Sequence, residues 1–460
     1  MTKLRIPVFL TVLIAAQTTG PLNAQKADSI PPAHVDSAAR SIPAPFGFAD
    51  FTWLNGNSRQ HVSVLDTKAF TGEFRADISF IGDFNRPSDH TLVGSSESGR
   101  TGEFQVQQLG IGGDFHYGHA RGRLMTQFGL YSTMTPRNDA SPARGQWDLA
   151  NAYRYLSEAY GGYHWDKLGG INLDAGIFMS YVGLFSYYNY DNWAYQPSYV
   201  SSNTPWFFNG LRLQIFVNDH LKIEPWIVNG WQSYAGFNNT SGLGLQTLWR
   251  PNGSLSFTSN DYFGHDWLGL PNRKRWHTDN SLEAKYIDRP GHWIDKAALS
   301  FTADAGCESG DGVRCWNSSA AAPAQNFLGF MLYNRTWFSG DEYGLTLGGG
   351  SMRNPGRYLV LMPPINGATA FPGTPYFTEN PGDKFRAWDV SLTFDIMPDE
   401  FTTFRFELNH RAANVPYFAG FNGVTPVGGN VGAPGSIVPG WSPDLRKSET
   451  RLNLALLVKM

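Results

Sequence analysis

Beyond its first few residues the sequence has no run of ~18 apolar residues, which excludes helical membrane spans. It has only two cysteines, Cys307 and Cys315, both in the stretch Gly306 to Asn317. A structural zinc site needs about four ligands and this stretch has no His, so the expectation is a local disulfide in an exported loop. Charge is scarce: charged residues make up 16% of the chain and the formal net charge is -3, leaving no basic face for nucleic acid. There is no Gly-x-Ser-x-Gly elbow and no His-Glu-x-x-His helix, so the familiar hydrolase signatures are missing. No cofactor or metal is called for.

What is present is aromatic. Phe, Trp and Tyr reach 15%, Gly numbers 50 and hydrophobic residues 42%, yet the mean hydropathy is only -0.31. That combination suits a transmembrane β-barrel, in which only every second side chain meets lipid. At 460 residues the chain could hold several soluble domains or one large all-β barrel. Lys3 and Arg5, the apolar stretch Ile6 to Ala16 and a cut after Ala24 read as an export signal over residues 1–24. Pro31, Pro32, Pro43 and Pro45 then mark a flexible leader, and Phe46 to Gly56 reads as a pre-barrel segment at the lumen or the barrel base. Leader and pre-barrel segment together span 25–69 and the barrel 70–460.

The barrel is read from two-residue periodicity. In Arg386 to Ile396, Trp388, Val390, Leu392, Phe394 and Ile396 share one face, and Ala387, Asp389, Ser391, Thr393 and Asp395 the other. After the turn at Pro398, Phe404, Phe406 and Leu408 oppose Arg405, Glu407, Asn409 and Arg411. The same alternation places Phe74, Ala76, Ile78 and Phe80 against Glu73, Arg75, Asp77 and Ser79. Pro225 removes a ladder donor, so its strand should be locally irregular, and Glu103 to Phe115 slips phase as a bulge would make it. On this facing, arginine should be costly at Leu392 and tolerated at Ser391.

Strands are expected at 70–83, 103–116, 120–132, 152–165, 170–180, 206–217, 221–231, 243–250, 254–263, 275–288, 294–305, 325–338, 341–350, 385–396, 400–410 and 448–458. Seven short turns alternate with eight longer loops, as in bacterial outer-membrane barrels, so the fold class is all-β: a closed antiparallel transmembrane barrel of about sixteen strands. A soluble β-sandwich also alternates. Aromatics near strand ends, Tyr153, Tyr155, Tyr163, Trp165, Trp276, Tyr286 and Trp388, favour the membrane because they match interfacial girdles.

A barrel of that width is too wide for wall side chains to fill, so water is expected inside unless a loop plugs it. The candidate pore-lining residues are Arg75, Asp77, Arg123, Arg154, Glu158, Asp174, Arg212, Lys222, Glu224, Asp279, Glu283, Lys285, Asp389, Arg405, Glu407 and Arg451. They would either set a transverse field on solutes or pair across strands to stabilise the wall, and their mixed signs predict no strong ion preference. The loop Tyr181 to Pro205, with Tyr187, Tyr188, Tyr190, Trp193, Tyr195 and Tyr199, is the candidate constriction; the competing reading is an outer loop packed on its neighbours. Loop Met352 to Asp383, stiffened by Pro355, Pro363, Pro364, Pro372, Pro375 and Pro381, could cover the mouth.

The stretches Phe48-Ala49-Asp50-Phe51-Thr52-Trp53-Leu54-Asn55-Gly56, Asp191-Asn192-Trp193-Ala194-Tyr195-Gln196-Pro197-Ser198-Tyr199 with Thr204-Pro205-Trp206, and Arg353-Asn354-Pro355-Gly356-Arg357-Tyr358 resemble the β-barrel porins described as OmpL-like. The likeness covers most of the chain after the export signal. It implies a Gram-negative outer-membrane channel with no catalytic residues to carry over. The expected function is therefore a porin passing small hydrophilic solutes, with outer-membrane lipid as its surroundings and a homotrimer as the assembly usual for its size. Two rivals remain: an adhesin or receptor anchored by the barrel, and a barrel enzyme, for which His277 and Asp279 on one face are the nearest candidates. An energised receptor would need about twenty-two strands and a plug.

Overall fold

Side chains that alternate along a strand offer lipid one face and the interior the other, and here sixteen such strands close on themselves. The computed structural model describes residues 45–93, 98–141, 144–356, 358–359, 365–368 and 384–460, all within the compact unit Ile42–Met460. The expected export signal and leader up to residue 44, and Pro363, Pro364, Pro372, Pro375 and Pro381 of the mouth-covering loop, lie outside the described residues.

In chain order the first half holds β1 (Phe70–Asp83), β2 (Phe104–Tyr117), β3 (Ala120–Thr126), α1 (Tyr131–Arg137), α2 (Leu149–Ala152), β4 (Leu156–Trp165), β5 (Ile171–Met179), α3 (Tyr199–Ser202), β6 (Phe207–Asn218), β7 (Leu221–Val228) and β8 (Gly242–Asn252). The second half holds β9 (Leu255–Gly264), β10 (Lys274–Asp288), β11 (Ile294–Ser309), β12 (Gln325–Phe338), β13 (Tyr343–Arg353), β14 (Arg386–Ile396), β15 (Thr402–Ala413), the two-residue strands β16 (Phe418–Ala419) and β17 (Leu445–Arg446), and β18 (Ser448–Lys459). Each wall strand pairs antiparallel with its neighbours, and β18 closes the ring between β15 and β1. Closure leaves no open edge to aggregate. β16 and β17 form a separate ribbon in the last long loop. No helix among the described residues is long and apolar enough to cross a membrane.

Burial follows the alternation. Leu392 is 47% exposed and its neighbour Ser391 1%, and the same contrast separates Phe406 from Glu407 and Leu452 from Arg451. Tyr163, Trp165 and Tyr286 stand exposed toward the short-turn ends of their strands, and Tyr155, Trp276 and Trp388 toward the long-loop ends, forming two aromatic bands. The phase slip in β2 is a bulge: Asp77 pairs with Gln108 and Ile78 with Val106, so Gln107 is the extra residue. At Pro225 the pairing of β7 with β6 breaks between Arg212↔Trp226 and Ile215↔Ile223.

Two strand expectations fail at the same loop. β3 stops at Thr126 rather than 132, because Gly129, at φ +86° with Val106 O 2.4 Å from where a Cβ would lie, turns the chain into α1. β4 begins at Leu156 rather than 152, because the Asp148 side chain caps α2 by accepting from Asn151 N at 3.0 Å. In consequence Arg154 is not on the wall, and Tyr153 packs on Tyr234 under the outer loops instead of joining the aromatic band.

Candidate channel interior

Water does not fill the interior along its whole length; two chain segments occupy much of it. The first is the third long loop, L3, residues 180–206, whose aromatic candidates Tyr187, Tyr188, Tyr190, Trp193, Tyr195 and Tyr199 are all buried. L3 lies inside the ring, so the reading as a loop packed only on outer neighbours is set aside. Locally it is closed by Asn192, whose amide accepts from Ser186 N and donates to Ser186 O, both at 2.8 Å, and by Ser198 at the start of α3.

The wall holds L3 from several sides. Asp77 of β1 accepts from Asn189 at 2.8 Å and from the Tyr195 phenol at 3.0 Å, and Arg75 reaches Asp191 at 2.9 Å. Glu407 of β15 accepts the amides of Tyr195 and Gln196 at 2.6 and 2.9 Å. Asp389 of β14 accepts the amide of Tyr199 at 2.9 Å and the Ser198 hydroxyl at 2.8 Å. Arg405 donates to the carbonyls of Asn189 and Asn192, Arg335 of β12 to that of Trp193, and the Tyr188 phenol to Glu158 of β4. Carboxylates aimed at backbone amides are strong anchors in a low-dielectric interior.

Inward glycines give the loop its seats. A Cβ on Gly350 would lie 2.4 Å from Ser198 Oγ, and one on Gly244 2.0 Å from the Tyr181 phenol oxygen, which donates to Asp261 O at 2.9 Å. Any larger residue would push the loop away.

The second segment, residues 45–69, straps the short-turn end. Phe46 packs on Phe216 of β6, Phe48 on His220, and Trp53 donates to Gly253 O at 3.2 Å before the chain enters the lumen. There Asn55 N donates to Glu283 at 2.8 Å, Gly56 N to Asp191 O at 3.1 Å, and Trp193 of L3 donates to Asn55 and to Trp53 O. The strap leaves by Arg59, which donates to the carbonyls of Asp399 and Thr402, and Gln60, which donates to Lys459 O. The pre-barrel segment therefore touches both lumen and base.

The other candidate lining residues pair with neighbours rather than forming opposed rows. Arg123 joins Glu158, Glu73 and Asp114; Arg212 meets Asp174 at 3.0 Å; Lys222 meets Glu224 at 2.6 Å; Lys285 meets Asp288 at 2.6 Å; Arg451 meets Glu449 at 2.5 Å. Asp279 accepts from Asn260 at 3.0 Å. These arginines and lysines are thus matched at short range, whereas Asp77, Asp279, Glu283, Asp389 and Glu407 are met by neutral hydrogen-bond donors. Sequence reasoning passed over Arg335 and Asp395, which with Arg405 form a buried triad, each arginine 2.7 Å from Asp395; both lie on the polar phase of expected strands, so the alternation itself could have flagged them. Arg154, by contrast, donates among the described residues to Thr133 alone, at 3.4 Å, and lies over the Tyr155 ring. Cys307 and Cys315 are disulfide-bonded, with Cα atoms 4.9 Å apart.

Sixteen strands, an apolar belt with aromatic bands and a polar, partly occluded interior define a channel of the Gram-negative outer membrane for small solutes. The family model described as putative beta-barrel porin-2, OmpL-like, matches residues 75–431, and the chain belongs to that family. Among solved structures it is similar to OmpT, an outer membrane protein of Vibrio cholerae (9% identity, 87% of this chain and 100% of that one, TM-score 0.48). It is also similar to the anion-selective porin from Comamonas acidovorans (12%, 85% and 99%, TM-score 0.47) and to Pseudomonas putida OprB (11%, 85% and 94%, TM-score 0.46). No curated protein matches the sequence.

Proposed function

We propose that the protein is a passive, narrow channel for small hydrophilic solutes, with L3 and the strap confining the route to the sector of wall formed by β2 to β8. The observation that carries this reading is uneven burial. In this sector Arg121, Arg123, Glu158, Arg212 and Lys222 keep 10–26% of their side chains accessible while the carboxylates of Asp174 and Glu224 beneath them are buried, whereas across the ring the arginines Arg405 and Arg451 and the carboxylate Asp395 all keep only 0–2%. On this reading the candidate lining residues divide. Arg123, Arg212 and Lys222 face solute; Arg75, Asp77, Glu158, Asp389, Arg405, Glu407 and Glu283 hold the two lumen segments. Ion-paired arginines and carboxylates along the open sector favour polar solutes of either charge over apolar ones.

Purified protein in planar bilayers should give discrete, voltage-stable conductance steps, and liposome swelling with sugars, amino acids and phosphate would rank its solutes. A correctly folded barrel that gives no steps overturns the channel reading. The filled lumen favours one alternative in that event, a receptor or adhesin whose loops bind a partner while the barrel only anchors them. An enzyme has less support: His277 is fully buried, its Nε2 2.7 Å from Asp304 and its Nδ1 2.6 Å from the Tyr358 phenol, which keeps substrate from the ring. A homotrimer is the assembly proposed for a barrel of this size, and a particle mass of one chain by light scattering would reject it.

A further inference from the structure

At the long-loop end, outside the wall strands, α1, the chain around α2 and parts of the first, seventh and eighth long loops line an open cavity of about 640 Å³. Arg100, Arg137 and Arg154 all line it, among the hydroxyl and amide groups of Thr133, Asn151 and Asn430. Arg100 is neutralised by Glu103 at 2.6 Å. The other two are different. Among the described residues neither Arg137 nor Arg154 has a carboxylate within ion-pair distance, and the Nε of each is buried without an acceptor. Inside the barrel, Arg75, Arg123, Arg212, Arg275, Arg335, Arg405 and Arg451 each have a carboxylate within 3.0 Å. A guanidinium withdrawn even partly from water without a counter-charge is costly, so two half-buried arginines on one cleft, each with a buried Nε and no acceptor, point to a ligand that completes them.

Their placement brings them together. Thr133 and Arg137 stand four residues apart on α1, hence on one face, and Thr133 is the group to which Arg154 donates. Neither of the two acids on the cavity pairs with these arginines. Asp148 caps α2, and Asp139 accepts through Oδ1 from Ser141 N, Ser141 Oγ and Tyr234 N at 2.8–3.2 Å, while its Oδ2 is buried without a donor. Burial also raises the Asp139 carboxyl above its ordinary value, which weakens it as a counter-charge.

We propose that this cavity is a binding site for a small solute bearing a carboxylate or phosphate group, held by Arg137 and Arg154 before it enters the lumen. As a step in uptake the site rests on the channel reading; as a binding site it does not.

The test is equilibrium titration of the full chain, folded in detergent, with succinate, inorganic phosphate and, as the neutral control, glycerol. The anions should bind saturably and glycerol should not, and the Arg137→Gln/Arg154→Gln variant should bind the anions about tenfold more weakly, the loss expected for a charge-assisted hydrogen bond. Equal affinity in variant and native protein, equal binding of glycerol, or no saturable binding overturns the site. If the double variant fails to fold, Arg154→Gln alone makes the same comparison, since among the described residues that side chain makes one long hydrogen bond, to Thr133, and a ring contact with Tyr155. Conductance steps without anion binding would sink this site and leave the channel; anion binding by a barrel that never conducts would do the reverse.

Discussion

Tyr195 donates its phenol to Asp77 of β1 at 3.0 Å while its amide donates to Glu407 of β15 at 2.6 Å. One residue in the middle of L3 thereby bridges the two strands that flank β18 at the closure of the ring. Burial holds the phenol well above its ordinary value, so it stays a donor at neutral pH. Combining Tyr195→Phe with Glu407→Gln removes one anchor and turns an amide donor toward two backbone N–H groups. L3 should loosen, and single-channel conductance should rise with more frequent closures; traces identical to the native protein would refute its role as the constriction.

Arginine at Leu392, on the lipid face at mid-strand, should cost about 2 to 4 kcal/mol in unfolding titrations from lipid vesicles. Periodicity alone predicts a mild effect for Ser391→Arg. Ser391 is 1% exposed and accepts from Asn409 at 2.8 Å, so its replacement should be destabilising as well, by crowding the filled lumen. The two variants should differ in conductance, which only the inward one alters; an altered conductance in Leu392→Arg would undo the facing.

Gly244→Ala places a methyl where the Tyr181 phenol lies. Overpacking of this kind costs roughly 1 to 3 kcal/mol. A lower thermal midpoint is expected, with that loss relieved when the ring is removed as well, so that Gly244→Ala and Tyr181→Ala together cost less than the sum of their single losses. No relief would mean that the glycine is not there to seat L3.

Trp53 is fully buried between strap and L3, donating to Gly253 O and accepting from Trp193. Trp53→Ala should cost about 3 to 5 kcal/mol locally and free the strap. Protease should then cut near residues 45–69 in folded barrels, and conductance should rise. Unchanged proteolysis would show that the strap is held by other contacts.

Reduction of Cys307–Cys315 should loosen only the sixth long loop. The bridge spans a sequence separation of 8, and a loop of that size is worth about 2 to 3 kcal/mol in chain entropy. Proteolysis between Gly310 and Ala324 should quicken under reductant while the barrel keeps its heat-resistant migration; loss of the whole fold would contradict this.

The wall was readable from one dimension because strand alternation is a local rule. Leu392 and Ser391 differ in burial for the same reason that they are adjacent, and Gln107 and Pro225 disturb the ladder where a bulge and a missing donor must. The even strand number, and with it the start of β1 and the end of β18 at the short-turn end, follows from counting. Tyr153 and Arg154 escaped the rule because a cap at Asp148 and a left-handed Gly129 bend the chain out of the sheet, and neither device has a period.

The filling of the lumen had no such signature. Asn55 meets Trp193 and Tyr195 meets Glu407 across separations of 138 and 212 residues, and no spacing in the chain encodes which carboxylate will meet which amide. The polar face of each strand was determined by sequence; whether that face would hold water or a loop was decided only when the ring closed around L3 and the strap. Alternation depends on neighbours in the chain, whereas occupancy of an enclosed volume depends on what the whole fold brings into it.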